Sequence, residues 1–528
     1  MKYLLIFAAM VGGGFAADAQ DVTYANDIAK IIYKNCSSCH RAGEIGPMSL
    51  TNYEEVKDWA TTIKSVTQSK YMPPWQPDPI YSRLQAENYL SDIEIADIAA
   101  WVDGGMPRGN QADEPAFPEF PDGSVLGTPD LVLEMAEPFL HRGNGQDNYR
   151  YFVIPSGLTE DKIVKAVEFR PDNTKIVHHA LIFEDVTGVA AAKDDATPEY
   201  GFDGFGSFLD GNDDSILSQK QYPGYVPGQK PLLYPDGVGQ VLQAGADVVI
   251  QLHYAPWSVD EYDQSKINIF FADEQELIER EVETHIMVPF QEVINADFFI
   301  PANQKREFHG IWNVSKDVSF MGLSPHMHLL GQHWEVYLEH ADGKIENLIR
   351  INKWDFNWQG GYSFRKYITA KAGAKIHAIA SYDNTASNPN NPSNPPQFVT
   401  WGEGTEDEMY YLPLNFVEYQ AGDENIVFED EITSTNSGIV VGGDYIEPLS
   451  PNPVDDFTVA KFSLSQGKAI DINILDINGR FIRKIRDQEF FNTGDQFVNF
   501  STKQLNNGIY ILNIQGRNLN ISQKFVKQ

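Results

Sequence analysis

Two histidines one residue apart, His326 and His328, are the residues of this sequence to which a chemical role is most readily assigned. Imidazole nitrogens bind several transition metals. Side chains at positions i and i+2 point the same way in a β-strand, about 6.6 Å apart, and diverge on a helix. Apolar residues alternate with polar ones after the pair, up to a turn at Asp342 and Gly343. This pattern favours a strand with both imidazoles on one sheet face, as a metal site or as a surface pair without function.

The metal interpretation is strengthened by three further histidines and a methionine, which lie in similar apolar segments with strand-like patterns. His178 and His179 are adjacent, His253 ends an apolar run, and Met409 follows an acidic turn. Adjacent side chains point to opposite faces of a regular strand. Joint metal binding by His178 and His179 therefore requires a β-bulge or the use of different ring nitrogens. The other histidines are interpreted as structural or surface residues, with His333 the best candidate for supporting a ligand: His141, His285, His309, His333, His340 and His377.

The only two cysteines, Cys36 and Cys39, are followed directly by His40. Cys-x-x-Cys-His is the attachment site of a c-type haem, in which two thioether bonds hold the haem and the histidine binds its iron. A redox dithiol beside an unrelated histidine is the alternative. The flanking sequence favours haem attachment over a redox dithiol, because its pattern is helical and shows no βαβ arrangement.

The expected helices frame this motif. Residues 27–35 have helical periodicity and lead into it, and Ser91 with Glu94 forms a capping box that opens a second helix, which ends at Gly104. A first helix that carries the haem site and a last helix that packs against it resemble a small cytochrome c.

Met72 is the best candidate for the sixth iron ligand, since no other histidine precedes His141 and two prolines after Met72 favour an extended loop. Met48 and Met106 remain alternatives, and Met72 as a plain core residue is a further one. A Met/His pair raises the reduction potential of the haem, which suits electron transfer.

The composition limits the function classes. The chain has 528 residues, 40 basic and 74 acidic, and a formal net charge of −34. A nucleic-acid partner would require a basic face, and none is apparent. The first 19 residues read as a signal peptide, and we expect no transmembrane helix, because no later segment is apolar for long enough.

The sequence predicts a multidomain protein with one small helical domain and several β-sandwiches. Short alternating strands separated by Gly, Pro, Asn and Asp turns follow a proline-rich linker, a pattern typical of sandwiches. The expected ranges are a signal peptide (1–19), an all-α cytochrome c-like domain (20–113), a linker (114–124), a first β-sandwich (125–288), a second β-sandwich (289–440) and a small C-terminal β-domain (441–528).

The ordered set of histidines and methionine resembles that of the copper type II, ascorbate-dependent monooxygenases, the family of peptidylglycine and dopamine β-monooxygenases. The resemblance covers roughly residues 125–430. It implies two eight- or nine-stranded jelly-roll-like domains with one copper ion each. It also implies two ligand sets, of which the second activates oxygen: His178, His179 and His253 for the first ion, and His326, His328 and Met409 for the second. A thioether ligand stabilises Cu(I), which supports this assignment independently.

The departures from the family concern the substrate. Ser324 stands where peptidylglycine monooxygenases have a carboxylate-binding arginine, and Tyr411 and Pro413 replace an asparagine and a tyrosine after the methionine. A peptide ending in glycine is therefore not expected as the substrate. Aromatic residues between positions 354 and 362 form a cluster that either lines a cleft or packs at a strand corner.

Residues from Ser450 onward resemble the C-terminal sorting domain of the type IX secretion pathway. The block begins with Pro-Asn-Pro-Val, contains short strands and a turn at Asn478 and Gly479, and ends with a basic segment. A carbohydrate-binding sandwich is the alternative, but the block has no aromatic platform. The resemblance implies the type IX machinery as a partner and the cell surface or the outside as the address.

These features together predict an exported, haem-linked copper monooxygenase with two copper ions and one haem c. Its partners would be O2, a small-molecule or polymer substrate, and an electron donor, either ascorbate or a redox protein. The hypothesis is that electrons reach the three-histidine copper through the haem, in place of ascorbate or beside it. The alternatives are a non-catalytic electron-transfer or redox-sensing protein and a copper-binding module.

Overall fold

The computed structural model describes most of the chain in two compact units, Met1–Ser434 and Thr435–Gln528. The described residues are 22–120, 123–204, 207–209, 219–273, 276–402, 404–428, 445–446, 449, 453–454, 456–464, 467–476, 480–492, 494–516 and 519–528. The predicted signal peptide and the predicted turn at Asn478 and Gly479 lie outside them. Within the described part, no helix is both long and apolar enough to cross a membrane.

The N-terminal region is helical. Its elements are a π-helical turn (Tyr24–Ile28), α1 (Ala29–Asn35), α2 (Tyr53–Asp58), α3 (Ala60–Gln68), α4 (Asp92–Asp103) and a 3-10 turn (Gln111–Asp113). The predicted capping box begins α4: the Glu94 N–H donates to the Ser91 hydroxyl, and the Glu94 carboxylate accepts the Ser91 N–H. Ile28, Ile32 and Trp101 are buried in the core that these helices share. The described residues of the predicted linker, 114–120 and 123–124, contain no helix or strand.

The first β-sandwich consists of two five-stranded sheets with the orders β1-β11-β4-β8-β12 and β6-β3-β9-β5-β7. Its strands are β1 (Leu131–Glu134), β2 (Phe139–His141), β3 (Asn148–Pro155), β4 (Lys162–Arg170), β5 (Val177–Asp185), β6 (Phe202–Asp203), β7 (Gln221–Tyr225), β8 (Val238–Leu242), β9 (Asp247–Tyr254), β10 (Glu261–Asp263), β11 (Lys266–Phe271) and β12 (Arg280–Glu281). A short helix, α5 (Val189–Asp195), follows β5. Apolar residues of both sheets, such as Phe152, Val164, Ile250 and Ile267, form one core.

The second β-sandwich consists of two four-stranded sheets with the orders β13-β22-β16-β19 and β15-β20-β17-β18. Its strands are β13 (Glu283–Met287), β14 (Phe299–Ile300), β15 (Gln304–Asn313), β16 (Val318–Leu323), β17 (Gly331–Glu339), β18 (Ile345–Ile351), β19 (Tyr362–Ala370), β20 (Lys375–Asn384), β21 (Val399–Thr400) and β22 (Leu412–Glu418). The short helix α6 (Pro289–Glu292) and a 3-10 turn (Asp423–Asn425) complete it. Phe320, Trp334, Val336 and Leu414 lie in its core.

Both sandwiches share one strand topology. When the eight main strands of each are numbered along the chain, the two sheets have the orders 1-8-3-6 and 2-7-4-5 in both cases. This order, built from two Greek keys, is that of a jelly roll.

One segment of the N-terminal region, residues 72–87, lies against the second sandwich. Asp78 forms an ion pair with Arg350 at 2.6 Å, and Pro77 forms a bridge with Ile351. Leu84 is fully buried within the core of the sandwich. The helical region therefore packs against the second sandwich, whereas the chain continues from it into the first sandwich.

The C-terminal unit is a small β-sandwich. Its strands are β23 (Tyr445–Ile446), β24 (Phe457–Leu464), β25 (Lys468–Asp476), β26 (Phe481–Phe491), β27 (Gly494–Ser501), β28 (Gly508–Gly516) and β29 (Leu519–Lys527), in sheets of order β23-β24-β27 and β26-β25-β28-β29. Ile472, Ile514 and Phe525 are buried between the sheets.

Candidate metal centre

Three histidines of the first sandwich converge on one point. His179 on β5 pairs with His253 on β9, and the register between these strands shifts between Val177 and His179, so that His178 is the extra residue of a β-bulge. Of the two arrangements that the sequence left open, the β-bulge is therefore the one present, and it brings both neighbours to one side. The Nδ1 atom of His178 lies 3.4 Å from that of His179 and 3.2 Å from that of His253, and the last two are 3.3 Å apart.

The spacing of these three nitrogens matches the size of a metal ion. A point equidistant from them lies about 1.9 Å from each, close to the ~2.0–2.1 Å of a metal–imidazole bond. Burial lowers the pKa of His179 and of His253 well below the ordinary value, and the neighbouring imidazoles lower both further. The rings are therefore neutral and can accept a metal.

We call His178, His179 and His253 the first group, and His326 and His328, with Met409 beside them, the second group. Two side chains beside the first group orient His253. Its Nε2 lies 2.5 Å from Oδ1 of Asp147, so that Nε2 carries the proton and Nδ1 faces the other two rings. Tyr149, opposite His253 on β3, stacks on its ring at 4.1 Å with an interplanar angle of 5°. The Tyr149 hydroxyl lies 3.2 Å from that of Thr405, in the loop of the second sandwich that leads to Met409.

The second pair, His326 and His328, does not lie in a regular strand, so the predicted strand is wrong at this point. Strand β16 ends at Leu323, and only one isolated bridge follows, between His326 and Tyr411. The two rings nevertheless lie close, with centroids 5.0 Å apart and an interplanar angle of 87°. Burial lowers the pKa of His328 to about 4.

A buried carboxyl group, that of Glu408, links this irregular segment to Met409, and burial raises its pKa to about 8. It accepts the backbone N–H groups of His328 at 2.9 Å, Leu330 at 2.6 Å and Met409 at 3.1 Å. Counted from the bridge of His326 to Tyr411, Met409 stands opposite His328 on the facing segment. The structure thus brings the backbone of Met409 beside the histidine pair, and the Met409 side chain is buried.

An aromatic loop, residues 354–361, connects the two groups. The ring of Phe356 in this loop lies 5.7 Å from that of His178 and 5.8 Å from that of His328. Burial lowers the pKa of His326 well below its ordinary value, and His328, from its own group, and His179, from the other, lower it further. One aromatic ring therefore contacts histidines of both sandwiches.

The Cys-x-x-Cys-His motif follows α1. The Nδ1 atom of His40 lies 3.2 Å from the carbonyl oxygen of Met48, and both cysteines are unpaired and partly buried. Burial raises the pKa of the Cys36 thiol to about 12 and also raises that of Cys39.

The candidate axial methionines differ in position. Met48 and Met106 pack with Cys36 against the helical core, whereas Met72 is the first residue of the segment 72–87 that lies against the second sandwich. The choice between them stays a prediction, as does the supporting role of His333, whose Nε2 lies 3.9 Å from Glu335.

Sequence reasoning missed Asp147, Glu408 and Gln359, which support the candidate ligands. Glu408 is the last of three consecutive acidic residues and stands directly before an apolar segment that begins with Met409, and this position next to the apolar segment was the available signal. Asp147 and Gln359 carry no such signal, since their roles depend on contacts with residues 106 and 33 positions away along the chain.

Several solved structures are weakly similar to this chain. The beta-glucuronidase of Faecalibacterium prausnitzii is 11% identical, with 42% of this chain and 37% of that chain covered and a TM-score of 0.12. Bacteroides uniformis beta-glucuronidase 3 is 12% identical, with 42% of this chain and 27% of that chain covered and a TM-score of 0.12. PNGF-II is 13% identical, with 57% of this chain and 63% of that chain covered and a TM-score of 0.22. The chain thus spans less than two thirds of the length of each, and at these TM-scores the likeness supports no conclusion. No curated protein matches the sequence.

The C-terminal unit does match a known family. Residues 449–528 correspond to the secretion system C-terminal sorting domain. The β-sandwich that ends the chain is therefore a type IX secretion sorting domain, and the protein is exported to the cell surface or the extracellular space.

Proposed function

We propose that this exported protein is a copper-dependent monooxygenase, which hydroxylates a C–H bond of its substrate with O2 and receives electrons through a c-type haem, ascorbate or both. The observation that carries the proposal is the paired arrangement: one histidine group from each sandwich, with Phe356 in contact with both. A protein that only stores metal has no need for two different ligand groups in this arrangement.

The donor atoms fit two copper ions. Three imidazoles, from His178, His179 and His253, suit copper in either oxidation state, and two imidazoles with a thioether, from His326, His328 and Met409, favour Cu(I). Copper, when bound, would supply one-electron redox chemistry at each group, and oxygen activation would belong to the second. The protein keeps the imidazoles neutral by burial, orients His253 through Asp147 and keeps the segment of His328 next to Met409 through Glu408.

The motif at Cys36 fits haem better than a redox dithiol. A catalytic dithiol requires a thiol pKa below the ordinary range, whereas burial raises that of Cys36 to about 12 and that of Cys39 in the same direction. The contact of His40 Nδ1 with the Met48 carbonyl orients the ring and leaves Nε2 available for iron. Cys36, Cys39 and His40 would hold the haem, and Met72 is the proposed axial ligand.

The surroundings of the second group favour a substrate without a carboxylate. Ser324 occupies the position of the substrate-binding arginine and lies beside Gly361: a Cβ atom added there would be 2.9 Å from the Ser324 hydroxyl oxygen. A serine offers a neutral hydrogen-bonding group and no charge. The proposed substrate is therefore neutral at the end that enters this group.

The test is oxygen incorporation by the copper-loaded chain. We expect metal analysis to find two copper ions per chain, with one lost in each of the variants His179→Ala and His326→Ala. Ascorbate should then drive the transfer of oxygen-18 from O2 into members of a panel of neutral hydrocarbon-bearing compounds, and each variant should abolish it. His340→Ala is the control, since His340 pairs with Glu346 away from both groups. Copper that ascorbate reduces without any labelled product would instead indicate an electron-transfer protein.

A further inference from the structure

The aromatic loop is fastened to the N-terminal region by the side chain of Gln76. Its Nε2 donates to the carbonyl oxygen of Asp355 at 3.0 Å and to that of Trp358, and its Oε1 accepts the Asp355 N–H at 2.9 Å. Both the donor and the acceptor atom of this amide are used. The contacts fall on either side of Phe356 in the sequence, so they restrict the backbone that carries its ring.

The same loop contacts both histidine groups. Phe356 packs against His178 in one and His328 in the other. Gln359, three residues further on, is hydrogen-bonded to His326 and donates to the carbonyl oxygen of Phe356 at 2.7 Å. A shift of the loop would therefore change what covers three of the proposed ligands at once.

Gln76 is the side chain of the N-terminal region that is hydrogen-bonded to the middle of the loop, and the other described contacts differ from it in position or in kind. The backbone N–H of Trp354 donates to Gln332 at one end of the loop, and that of Gly361 donates to Gln229 at the other. Tyr71 approaches Trp358 only as a ring contact, with centroids 6.2 Å apart. In the middle of the loop, the polar contacts described to the rest of the protein are those of Gln76 and the bond of Gln359 to His326.

We infer that Gln76 is a positioning residue of the paired centre: it keeps Phe356 in contact with both histidine groups and makes the segment after the Cys-x-x-Cys-His motif a structural part of that centre. The inference rests on the proposed function only in naming those histidines as metal ligands. Gln76 lies four residues after Met72, so the proposed axial ligand and the loop over the imidazoles are linked by one short segment and one side chain.

The experiment compares two glutamines of the same segment in the full chain. Gln76→Leu removes the three contacts to the loop at nearly constant volume. Gln85→Leu is the matched control, because Gln85 donates to the carbonyl oxygen of Phe364 on the same sandwich but outside the loop. Each protein is freed of loosely bound metal with a chelator and treated with diethylpyrocarbonate. Mass spectrometry then gives the modification rate of each histidine.

We expect Gln76→Leu to raise the modification rates of His178 and His328 several-fold, with His309 unchanged as the internal reference and with Gln85→Leu equal to the wild type. Equal rates in Gln76→Leu and the wild type would overturn the inference, and so would an equal rise in both variants.

After loading with Cu(II), the electron paramagnetic resonance spectrum should change in Gln76→Leu alone, a signature that general loosening at Gln85 does not produce. If Gln76→Leu does not fold, Gln76→Asn, which keeps an amide of shorter reach, decides the question by the same comparison. The modification step requires neither copper nor turnover. A protein that never hydroxylates a substrate would therefore still show the expected rise in modification rates if Gln76 positions the loop.

Discussion

The carboxylate of Asp147 lies 2.5 Å from Nε2 of His253, on the side of the ring away from the two other histidines of the first group. A carboxylate at this position fixes the tautomer, since it accepts the Nε2 proton and leaves the Nδ1 lone pair free. Without it, either nitrogen of His253 can carry the proton.

Asp147→Asn should therefore weaken Cu(II) binding at the first group by about 10–100-fold, the usual effect of removing such a partner. Competition with a chelator of known affinity measures it. Glu160→Gln is the control, because Glu160 forms an exposed ion pair with Lys162. Unchanged affinity in Asp147→Asn would show that the geometry of the sheet alone orients His253.

Glu408→Gln should impair the second group and spare the first. The amide retains one acceptor oxygen but places an N–H donor against backbone N–H groups that Glu408 now satisfies. We expect a loss of about 1–3 kcal/mol of stability and weaker Cu(I) binding, with a reduced copper–sulfur signal in X-ray absorption. Glu406→Gln, an exposed change in the same loop, should behave as the wild type. A full sulfur signal in Glu408→Gln would contradict the role assigned to the carboxyl group.

The haem proposal predicts covalent attachment. A chain produced in cells with a c-type cytochrome maturation system should show one haem that survives acid-acetone extraction, as measured by the pyridine haemochrome spectrum. Replacing both cysteines, Cys36→Ser and Cys39→Ser, should abolish it, whereas Ser38→Ala within the motif should not. Two thiols that react freely in the wild-type chain would reject haem attachment.

The axial ligand can be tested in the same way. Met72→Leu should remove the near-infrared band of methionine–iron ligation, because leucine offers no sulfur. Met48→Leu and Met106→Leu are the matched controls. Loss of the band in either of these, with Met72→Leu unaffected, would assign the ligand to that methionine instead.

Asp423→Asn tests how the second sandwich depends on pH. Burial opposes ionisation of Asp423, but hydrogen bonds from Ser319 and from the backbone N–H of Gln420, together with the Arg280 guanidinium 2.7 Å away, outweigh it and lower its pKa. A lowered folded-state pKa stabilises the protein fully above the unfolded value of about 3.9 and loses this contribution as the pH falls through the folded value.

At pH 7 we therefore expect Asp423→Asn to cost about 1–3 kcal/mol, because it leaves the half-buried Arg280 guanidinium and the Ser319 hydroxyl without their charged partner. The difference from the wild type should shrink as the pH falls below about 4. Urea unfolding at several pH values measures it, with Asp103→Asn, from an exposed pair with Lys64, as the control. A difference that is constant with pH would show that the carboxylate is not ionised in the folded protein.

Local patterns predicted several elements correctly. The capping box at Ser91 and Glu94 depends on residues three apart. The bulge at His178 was one of two ways in which adjacent histidines could share a ligand, the other being the use of different ring nitrogens. The strand predicted at His326 failed for an equally local reason that was overlooked: Pro325 has no N–H to donate, and the regular strand ends before it.

The sequence by itself determined which donor atoms are present, the thiols and imidazole of the Cys-x-x-Cys-His motif, and the sorting domain, because these are short contiguous patterns. Only the tertiary structure decided that Phe356 contacts both histidine groups, that Asp147 and Glu408 support them, and that Gln76 reaches the loop that carries Phe356. Alternation along one strand constrains the side of a sheet on which a residue lies. The distance between residues far apart in the chain depends on strand register and on the packing of both sandwiches, and neither can be read from a single segment.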